Sequence, residues 1–592
     1  MSKGLSVLNE DNAIVKAKPV DNFKELINQS VELFGDKEAF IVKVKKGDGT
    51  EYRHIKYTEF KQEIDSFGTA LVDLGLEDVP IALIGENRYE WCLSYLTITC
   101  GGNVVVPIDR ELKSDEIANL IKRSEAKVII FSEKLKKEIM SCAEQIEDVN
   151  HLICMDDIEL SVEGKEVHTV SDLIKSGQEL LEKGERRYLG AEVDSNKLSV
   201  LLFTSGTTGI PKGVMLSQKN ICYNIESVVQ CLDYDYRDSA LSILPLHHTY
   251  ECTCGFLVMM YNGCRVAFCD GIRYIAKNIN EYNPSILMLV PLILEGVHSK
   301  IMKKAKETKI KYVAFRTMLS ISGLLYKFGI DIRKKMFSTV HQSLGGNLRL
   351  VIAGAAAMSP KISNDIQRMG INVRQGYGLT ECSPIVCVNR ETDANNSSVG
   401  PAMPGVTVKI NNPNDEGHGE ILVKGQNVML GYYKDSEATK EVLKDGWLYT
   451  GDQGRMDKKG RLYITGRIKN IIVTKTGKNI YPEELEEKIK HVPYVLESIV
   501  WGYDNKETGD TEIQATVVPN YEAIKEAGYN DTDPAKVKEI IWTEIKKINK
   551  TVPVYKAIKS INIREEEFEK TTTRKIKRYV EKFVKGDRSD VG

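Results

Sequence analysis

The stretch that decides the fold reads LLFTSGTTGIPKG over residues 201–213. It starts as an apolar strand and passes directly into hydroxyls and glycines closed by one lysine. Glycine allows backbone N–H groups to approach phosphate oxygens, and the hydroxyls and the lysine add donors and positive charge. The spacing differs from G-x-x-x-x-G-K-S/T, so this is not a Walker A loop. A solvated turn is the alternative, but the density of these residues directly after a strand favours a phosphate-binding loop.

Outward from this loop, the first two thirds of the chain alternate apolar runs with helical patterns. Predicted strands cover residues 81–84, 104–108, 128–131, 198–203 and 348–353. Most of them lead through a polar or glycine-containing turn, and several then enter helical periodicity. This is typical of parallel α/β units whose helices cover the sheet. The predicted fold class is therefore α/β.

The pattern of the sequence changes from about Gly417 onward, and this change divides the chain. Shorter strands separated by turn residues indicate a β-rich lobe, with strands at 420–423, 447–449, 461–465 and 471–473. Strands and helices mix beyond it, and Pro482 followed by two glutamates indicates a helix start. We predict a large N-terminal domain of parallel α/β sheets plus this lobe over residues 1–466. A small, mobile α+β domain follows over residues 467–592, with a hinge near Lys469.

The composition bears on the class of function. The chain has 592 residues, 42% hydrophobic and 28% charged, and its net charge of -2 provides no global field for nucleic acid. Its cysteines include no CxxC pairs at zinc spacing. A metal site around Cys252 and Cys254 with the nearby histidines is an alternative, but buried thiols in a reduced interior fit better. With no signal-peptide core and no run of ~20 apolar residues, we expect a cytoplasmic protein that at most lies on a membrane.

Seven further motifs follow the phosphate loop. They are LPLHHTYE at 244–251, AGAA at 353–356, GYGLTE at 376–381, GEI at 419–421, YTGD at 449–452, GRIK at 466–469 and KTTTRKI at 570–576. In this order they resemble the adenylate-forming superfamily, which contains acyl-CoA synthetases, luciferases and peptide-synthetase adenylation domains. The resemblance implies an enzyme that uses ATP and Mg²⁺ to activate a carboxylic acid as its acyl-adenylate. The acyl group is then transferred to a thiol such as that of CoA.

The resemblance also implies a nucleotide-binding set. Tyr377 offers a flat face for adenine, Asp452 accepts both ribose hydroxyls, and Arg467 lies near ribose or phosphate. Taken alone, Tyr377 would more often be a core aromatic residue and Arg467 a surface ion-pair partner. The remaining members are Thr204, Ser205, Gly206, Thr207, Thr208, Gly209 and Lys212 of the loop, with Gly354, Ala355, Ala356, Gly376 and Gly378.

Catalytic and metal-binding roles follow from the same resemblance. Lys575 bridges the attacking carboxylate and the α-phosphate, where it stabilises charge that develops in the transition state. The family usually has glycine directly before this lysine, and Arg574 stands there in this chain. Thr380 contacts phosphate, and Glu381 is a hard oxygen ligand for Mg²⁺.

Two further positions concern the acid and the thiol. His248 is the expected histidine of the acid pocket, favoured over His247 because it keeps the family's Pro-x-x-His spacing, and Glu251 follows it. The turn at 475–479 resembles the loop that lines the thiol tunnel, where Gly477 lets a pantetheine arm pass close to the backbone. A simple hairpin turn is the alternative.

Residues 85–91, GENRYEW, and the 244–251 motif resemble the long-chain fatty acyl-CoA synthetase branch. The expected reaction converts a medium- to long-chain fatty acid into acyl-AMP with pyrophosphate release, and then into acyl-CoA. A fatty acyl-AMP ligase that loads a separate acyl carrier protein is the close alternative. A luciferase-like oxygenase and an inactive lipid-binding protein are more distant ones.

A locally basic segment lies between Lys300 and Met336. It contains eleven Lys or Arg against Glu307 and Asp331, interleaved with Ile, Leu, Met and Phe. Such a segment is suited to contact an anionic membrane surface, where free fatty acid partitions. The alternative is a solvated amphipathic face packed on the core.

Overall fold

Two eight-stranded sheets organise the large N-terminal part of the chain. The computed structural model describes residues 5–7, 18–46, 49–204, 211–390, 395–473, 479–504, 511–529, 533–570, 576–578 and 580–581. Within these ranges the predicted α/β class with parallel sheets is confirmed.

The first sheet contains both strands that flank the phosphate loop. In spatial order its strands are Gly431–Tyr432, Lys212–Ser217, Leu198–Thr204, Val104–Ile108, Pro80–Ile84, Val128–Phe131, His151–Cys154 and Glu166–Thr169. From Leu198–Thr204 onward all neighbours are parallel, while the first two pairs are antiparallel. The central strands are continuous apolar runs, as expected of parallel strands that are covered on both faces.

The second sheet is parallel in its interior and antiparallel at both edges. Its strands are Ile385–Val388, Asn372–Gly378, Leu350–Ala353, Ile286–Leu289, Ser239–Ser242, Arg265–Phe268, Glu38–Lys46 and Gly49–Lys56. The strand predicted at 348–353 therefore begins two residues later, at Leu350. Ligands of open α/β sheets bind beyond the carboxyl ends of such strands, which is where the site described below lies.

Helices cover both sheets. The helix Tyr89–Cys100 is buried in all its residues except Glu90, because it packs on strands of the first sheet while the Tyr89 ring lies 5.2 Å from Phe40 of the second. The other helices of this part are Phe23–Phe34, Tyr57–Asp73, Ser114–Ser124, Lys136–Cys142, Val170–Glu182, Arg187–Gly190, Gln218–Val229, Val258–Tyr261, Ile275–Tyr282, Pro291–Ala305, Lys309–Lys327, Arg333–Met336, Ser338–Ser343, Pro360–Arg368 and Ser436–Val442. Among the described helices, none is both long and apolar enough to span a bilayer.

The β-rich lobe is a six-stranded antiparallel sheet. It consists of Leu5–Val7, Thr407–Asn411, Gly419–Lys424, Leu443–Lys444, Trp447–Met456 and Leu462–Arg467. The strand predicted at 471–473 is not part of it, since Ile472–Val473 pairs only with Asn479–Ile480 in a separate two-stranded sheet.

A smaller α+β unit follows the lobe. A three-stranded sheet of Val495–Asp504, Thr511–Pro519 and Ile558–Ile563 is flanked by the helices Pro482–Ile489, Tyr521–Glu526 and Pro534–Asn549. It has its own apolar core, which includes Leu485, Val517 and Ile541. Ion pairs join it to the large part, such as Lys490 with the mostly buried Glu295, at 2.7 Å, and Lys303 with Glu526, at 3.2 Å. The second pair is exposed on both sides, and pairs of that kind contribute little stability.

Candidate active site

Three residues of the predicted nucleotide-binding set meet at one carboxylate. The Tyr377 hydroxyl donates to Asp452 Oδ2 at 2.7 Å, and Arg467 Nε lies 2.7 Å from Asp452 Oδ1. Asp452 and Arg467 are direct partners in the antiparallel ladder of the lobe, which explains how two residues 15 positions apart form one pair. Burial raises the pKa of Tyr377, so its hydroxyl remains a donor. Asp452 is buried, and its oxygens retain acceptor sites beyond these two contacts.

Glu381, the predicted metal ligand, and Lys212 of the predicted phosphate loop both contact Tyr432. Thr380 and Glu381 lie in the short 3-10 turn Thr380–Cys382, and the Tyr432 hydroxyl donates to Glu381 Oε1 at 3.0 Å. Lys212 Nζ lies 4.8 Å from the centroid of the same tyrosine ring. A cation and a carboxylate from distant motifs therefore contact the same tyrosine side chain. Tyr432 carries no motif signal, and sequence reasoning missed it.

The two ends of the phosphate loop are paired. Thr204 and Lys212 are partners in an antiparallel ladder, and Thr204 Oγ1 donates to the Lys212 carbonyl at 3.4 Å. The loop therefore connects the strands of a hairpin. The remaining loop residues named above, Ser205, Gly206, Thr207, Thr208 and Gly209, lie outside the described residues, as do Lys575 and Gly477.

The turn after the strand Leu350–Ala353 has an unusual backbone. Ala355 has a φ of +69°, a left-handed conformation that residues with a side chain rarely adopt and that is concentrated at functional sites. Ala355 and Ala356 are exposed, whereas Gly354 is buried against the Tyr250 ring, 3.3 Å from where a Cβ would stand. This turn presents its backbone at the carboxyl edge of the second sheet.

The glycines of the GYGLTE motif are explained by close packing. A Cβ on Gly378 would lie 2.1 Å from the Pro384 carbonyl oxygen, and one on Gly376 would lie 3.3 Å from that of Cys387. The strand carrying Tyr377 can therefore approach its antiparallel neighbour only with glycine at position 378.

Leu244, Pro245 and His247 line a cavity of about 1420 Å³. This cavity is larger than ordinary small-molecule pockets of about 300–1,000 Å³. His247 lines it, together with Asp109. His247 Nε2 is buried 3.6 Å from Asp109 Oδ2, and burial lowers the pKa of His247 to about 3, so the ring is neutral. The predicted acid-pocket residue, His248, has its ring centroid 4.2 Å from that of His247 and is not one of the lining residues.

The walls of the cavity are mainly apolar. Helix Pro291–Ala305 and its neighbours supply many of them, in positions that no motif marks. Apolar lining residues include Phe268, Ile279, Tyr282, Val297, Ile301 and Phe315, and cationic ones include Lys300, Lys304 and Lys311. The sequence analysis did not predict this cavity, and no motif specifies which side chains face inward.

Glu251 anchors the segment that carries His247. It begins a π-helix, Glu251–Leu257, a form that is frequent at functional sites. Its carboxyl group is buried, and burial raises the pKa of Glu251 to about 8 although Ser242 and the backbone N–H groups of Ile243 and Leu244 hydrogen-bond to it. A Cβ on Gly255 would lie 2.6 Å from Glu251 Oε1, so this carboxyl group fits only beside glycine.

The cysteines near this segment are free thiols. Cys252, Cys254 and Cys264 are buried and Cys269 is half-buried. They belong to apolar packing, as the sequence indicated, and burial raises the pKa of Cys252 to about 12.

Comparison with known proteins places the chain in a family. A model described as "AMP-binding enzyme" matches residues 27–433, and one described as "AMP-binding enzyme C-terminal domain" matches residues 469–582. The chain is 31% identical over 510 residues to long-chain-fatty-acid–CoA ligase 5 of Rattus norvegicus, covering 80% of this chain and 72% of that protein. It is 27% identical over 603 residues to a chloroplastic long-chain-fatty-acid–acyl-carrier-protein ligase of Arabidopsis thaliana, covering 88% and 79%.

The fold is also found in solved structures. An anthranilate CoA ligase in complex with anthranoyl-AMP matches with a TM-score of 0.73 at 19% identity, covering 97% of this chain and 98% of that one. At this identity the likeness concerns the fold alone. Because the first family model spans more than half of the chain, this protein belongs to the AMP-binding enzyme family of adenylate-forming acid–thiol ligases.

Proposed function

We propose that this protein activates a medium- to long-chain fatty acid with ATP and transfers the acyl group to CoA. The first half-reaction forms acyl-AMP and releases pyrophosphate, and the second forms acyl-CoA and releases AMP. The observation that carries the substrate class is the apolar cavity of about 1420 Å³ that His247 lines. An acyl chain gains about 0.8 kcal/mol for each CH₂ group removed from water, so a mainly apolar cavity of this volume favours long acids. The name of the rat relative agrees with this class.

Nucleotide binding is assigned to residues that the fold brings together. Asp452 accepts hydrogen bonds from the ribose, held in place by Tyr377 and Arg467. The backbone of the Gly354–Ala356 turn and of Gly376 contacts the nucleotide. The phosphate loop from Thr204 to Lys212 holds the phosphates.

Charge screening is the central requirement, because a carboxylate must attack an anionic phosphate. Glu381 offers hard carboxylate oxygens, which fit Mg²⁺, and Thr380 beside it contacts phosphate. When bound, Mg²⁺ would offset the negative charge of the phosphates. Lys575 supplies the positive charge at the attacking oxygen, and the acid's carboxylate is oriented by the histidine pair His247 and His248, of which His248 keeps the family spacing.

Two domains divide the work in this proposal. Residues 1–466 bind ATP and the acid, and residues 467–592 carry Lys575 and the Gly477 turn for the CoA arm. Lys469 lies in the 3-10 turn Ile468–Asn470, between the lobe and the small unit, where few dihedral changes suffice to rotate the domain. The start of the second family match at residue 469 supports this boundary.

A second acceptor is favoured by one comparison. The Arabidopsis relative is named for an acyl carrier protein, so the chain would then be a fatty acyl-AMP ligase that loads such a carrier. The two acceptors share the first half-reaction and differ only in the thiol.

The test is CoA-dependent AMP formation from ATP with acids of increasing chain length, with Lys575→Ala alongside. We expect activity to peak at one medium or long chain length. The variant should lose at least about 100-fold in adenylation, as expected for loss of a group that stabilises transition-state charge. Arg574→Ala is the matched control. Pyrophosphate release without thioester would move the acceptor to a carrier protein, and no turnover with any fatty acid would refute the substrate class.

We also propose that the acid is collected at an anionic membrane surface. The helix Lys309–Lys327 exposes an apolar stripe, formed by Ile310, Val313, Ile321, Leu324 and the following Phe328, with Ile310 83% and Phe328 74% exposed. Their helical spacing puts them on one face. Exposed lysines surround this stripe, and Lys311 from the same helix lines the cavity. An apolar stripe ringed by cations fits an anionic bilayer interface.

Vesicle co-sedimentation tests this surface. The full chain should sediment with vesicles that contain an anionic lipid and much less with neutral ones, and Ile310→Ser with Phe328→Ser should abolish the difference. Leu496→Ser, an exposed apolar residue of the small unit, is the control. Sedimentation that ignores lipid charge, or that the double variant leaves intact, would contradict the proposal while leaving the ligase reaction untouched.

A further inference from the structure

A group of three metal-ligating side chains lies on the edge of the first sheet, outside the proposed active site. His151 begins the strand His151–Cys154, and Glu166 and His168 belong to the neighbouring edge strand Glu166–Thr169. Among the described residues, this is the only group of at least three His, Cys, Asp or Glu whose ligand atoms all lie within 4.8 Å of one another. No motif of the adenylating reaction includes these residues.

The parallel register explains why the three side chains share one face. His151 is paired with Glu166, and Ile153 is paired with His168. Side chains two apart on a strand point to the same face, and paired residues on neighbouring strands do so as well. The arrangement is therefore set by the backbone and not by flexible side chains reaching from separate loops.

The distances suit a bound cation better than direct hydrogen bonds. His151 Nδ1 lies 3.6 Å and His168 Nε2 lies 3.7 Å from the same atom, Glu166 Oε2. Both separations exceed hydrogen-bond length, but they are close to the roughly 3.4 Å edge of a tetrahedron around an ion with bonds of about 2.1 Å. The two imidazole rings are nearly parallel, with an interplanar angle of 22°.

The two imidazole nitrogens that face Glu166 form no hydrogen bond with any described residue. His151 Nδ1 and His168 Nε2 are buried and have no hydrogen-bond partner in the described part of the chain. Buried polar atoms of native proteins are nearly always satisfied, so two such atoms facing one carboxylate oxygen indicate a missing ligand. Glu166 is 67% exposed on its side chain, which leaves a path for an ion from solvent.

We propose that His151, Glu166 and His168 bind a zinc-type divalent cation. Two imidazole nitrogens and one carboxylate suit Zn²⁺ and its first-row neighbours, whereas Mg²⁺ and Ca²⁺ prefer oxygen ligands throughout. Water completes the coordination. The cation adds a link between the four-residue edge strand Glu166–Thr169 and its neighbour, with which that strand also forms a short ladder.

The site is separate from the proposed chemistry. Asp156, which lines the acid cavity, follows the far end of the strand that His151 begins. None of the three proposed ligands is among the described residues that line the cavity. The cation is therefore expected to affect stability and not turnover.

The experiment uses the full chain freed of metal with a chelator and then dialysed against Zn²⁺, with Co²⁺ as a spectroscopic probe. We expect one tightly bound Zn²⁺ per chain and a visible Co²⁺ spectrum of tetrahedral nitrogen and oxygen coordination. Glu166→Gln and His168→Gln should each weaken binding by at least about tenfold, because even loss of a residue that only supports a metal ligand costs that much. Zn²⁺ should raise the Tm of the wild type and not that of the variants.

The matched control is His54→Gln. His54 forms an exposed pair with Glu38 on another sheet edge, at 3.0 Å, but with a single imidazole, so its loss should leave Zn²⁺ binding unchanged. Glu166→Gln decides the matter even if His168→Gln fails to fold, since the glutamate is mostly exposed. Equal Zn²⁺ affinity of the wild type and a folded Glu166→Gln variant, or no retained Zn²⁺ in the wild type, would overturn the proposal.

Discussion

The proposed nucleotide site and the proposed acid cavity of this protein are built in opposite ways. In the nucleotide site, side chains from short contiguous motifs meet through hydrogen bonds of 2.7 Å, as Tyr377 and Arg467 do at Asp452. The cavity of about 1420 Å³ takes its walls from elements scattered between Ile41 and Leu344, with Lys570 added from the small unit. Binding a nucleotide requires particular atoms at particular distances, whereas an apolar container requires only volume and low polarity, which many side chains supply.

This difference predicts how each region responds to substitution. Exchanging a single atom in the proposed nucleotide site should lower activity with every acid equally, because all acids react with the same ATP. A change of volume in the cavity should instead discriminate among acids by length and leave ATP binding alone.

The largest effect is expected in the nucleotide site. Asp452→Asn exchanges a carboxylate oxygen for an amide nitrogen, and kcat/KM for ATP should fall about 10- to 100-fold, since hydrogen bonds to charged groups contribute about 1.5–3 kcal/mol. Tyr377→Phe removes the 2.7 Å hydrogen bond to Asp452, and its kcat/KM for ATP should fall less. Tyr463→Phe, which loses a 3.1 Å hydrogen bond to Asp457 in the same lobe, is the control. Steady-state kinetics at saturating acid measure this, and an unchanged kcat/KM in Asp452→Asn would remove the nucleotide role.

A smaller and selective effect is expected in the cavity. Val297→Trp fills part of the volume, so kcat/KM for the longest accepted acid should fall about tenfold, while shorter acids and ATP are unaffected. Val554→Trp, at a position 82% exposed, is the control. Kinetics across a series of chain lengths test it. A uniform loss across all acids would indicate that the cavity does not receive the acyl chain.

A third effect concerns stability, at the segment that Glu251 anchors. The ordinary pKa of a glutamate is 4.5, and the pKa of Glu251 in the folded protein is about 8. Between these two pH values the folded state keeps a proton that the unfolded state has released. Unfolding then releases a proton, and the free energy of unfolding should decrease as pH rises from about 5 to about 8, by up to about 1.4 kcal/mol per pH unit.

Glu251→Gln should remove this part of the pH dependence. Urea unfolding at several pH values measures it, with Glu416→Gln, an exposed carboxylate, as the control. The same slope in the wild type and in Glu251→Gln would mean that Glu251 is ionised in the folded protein, and its role in holding the His247 segment would need revision.

Much of the proposed nucleotide site could be identified from the sequence, because its motifs are contiguous and follow strands whose apolar runs are easily recognised. The structure brings Asp452, Arg467 and Tyr377 into contact, and their role in binding a nucleotide stays a prediction. Tyr432 could not be predicted, since a tyrosine in a short edge strand has no distinguishing neighbour, and its contact with Glu381 spans 51 positions. The burial of His247 and the exposure of helix Lys309–Lys327 also depend on packing.

By itself, then, the sequence determined the α/β class, the order of the motifs and the family, because local apolar periodicity and contiguous Gly, Ser, Thr and Lys strings are readable along the chain. Only the tertiary structure decided which histidine lines the cavity, how large that cavity is, and that His151, Glu166 and His168 share one face of a sheet edge. The physical reason is that these features arise from register and from close packing between segments far apart in the chain. Neither is encoded in any single stretch of residues.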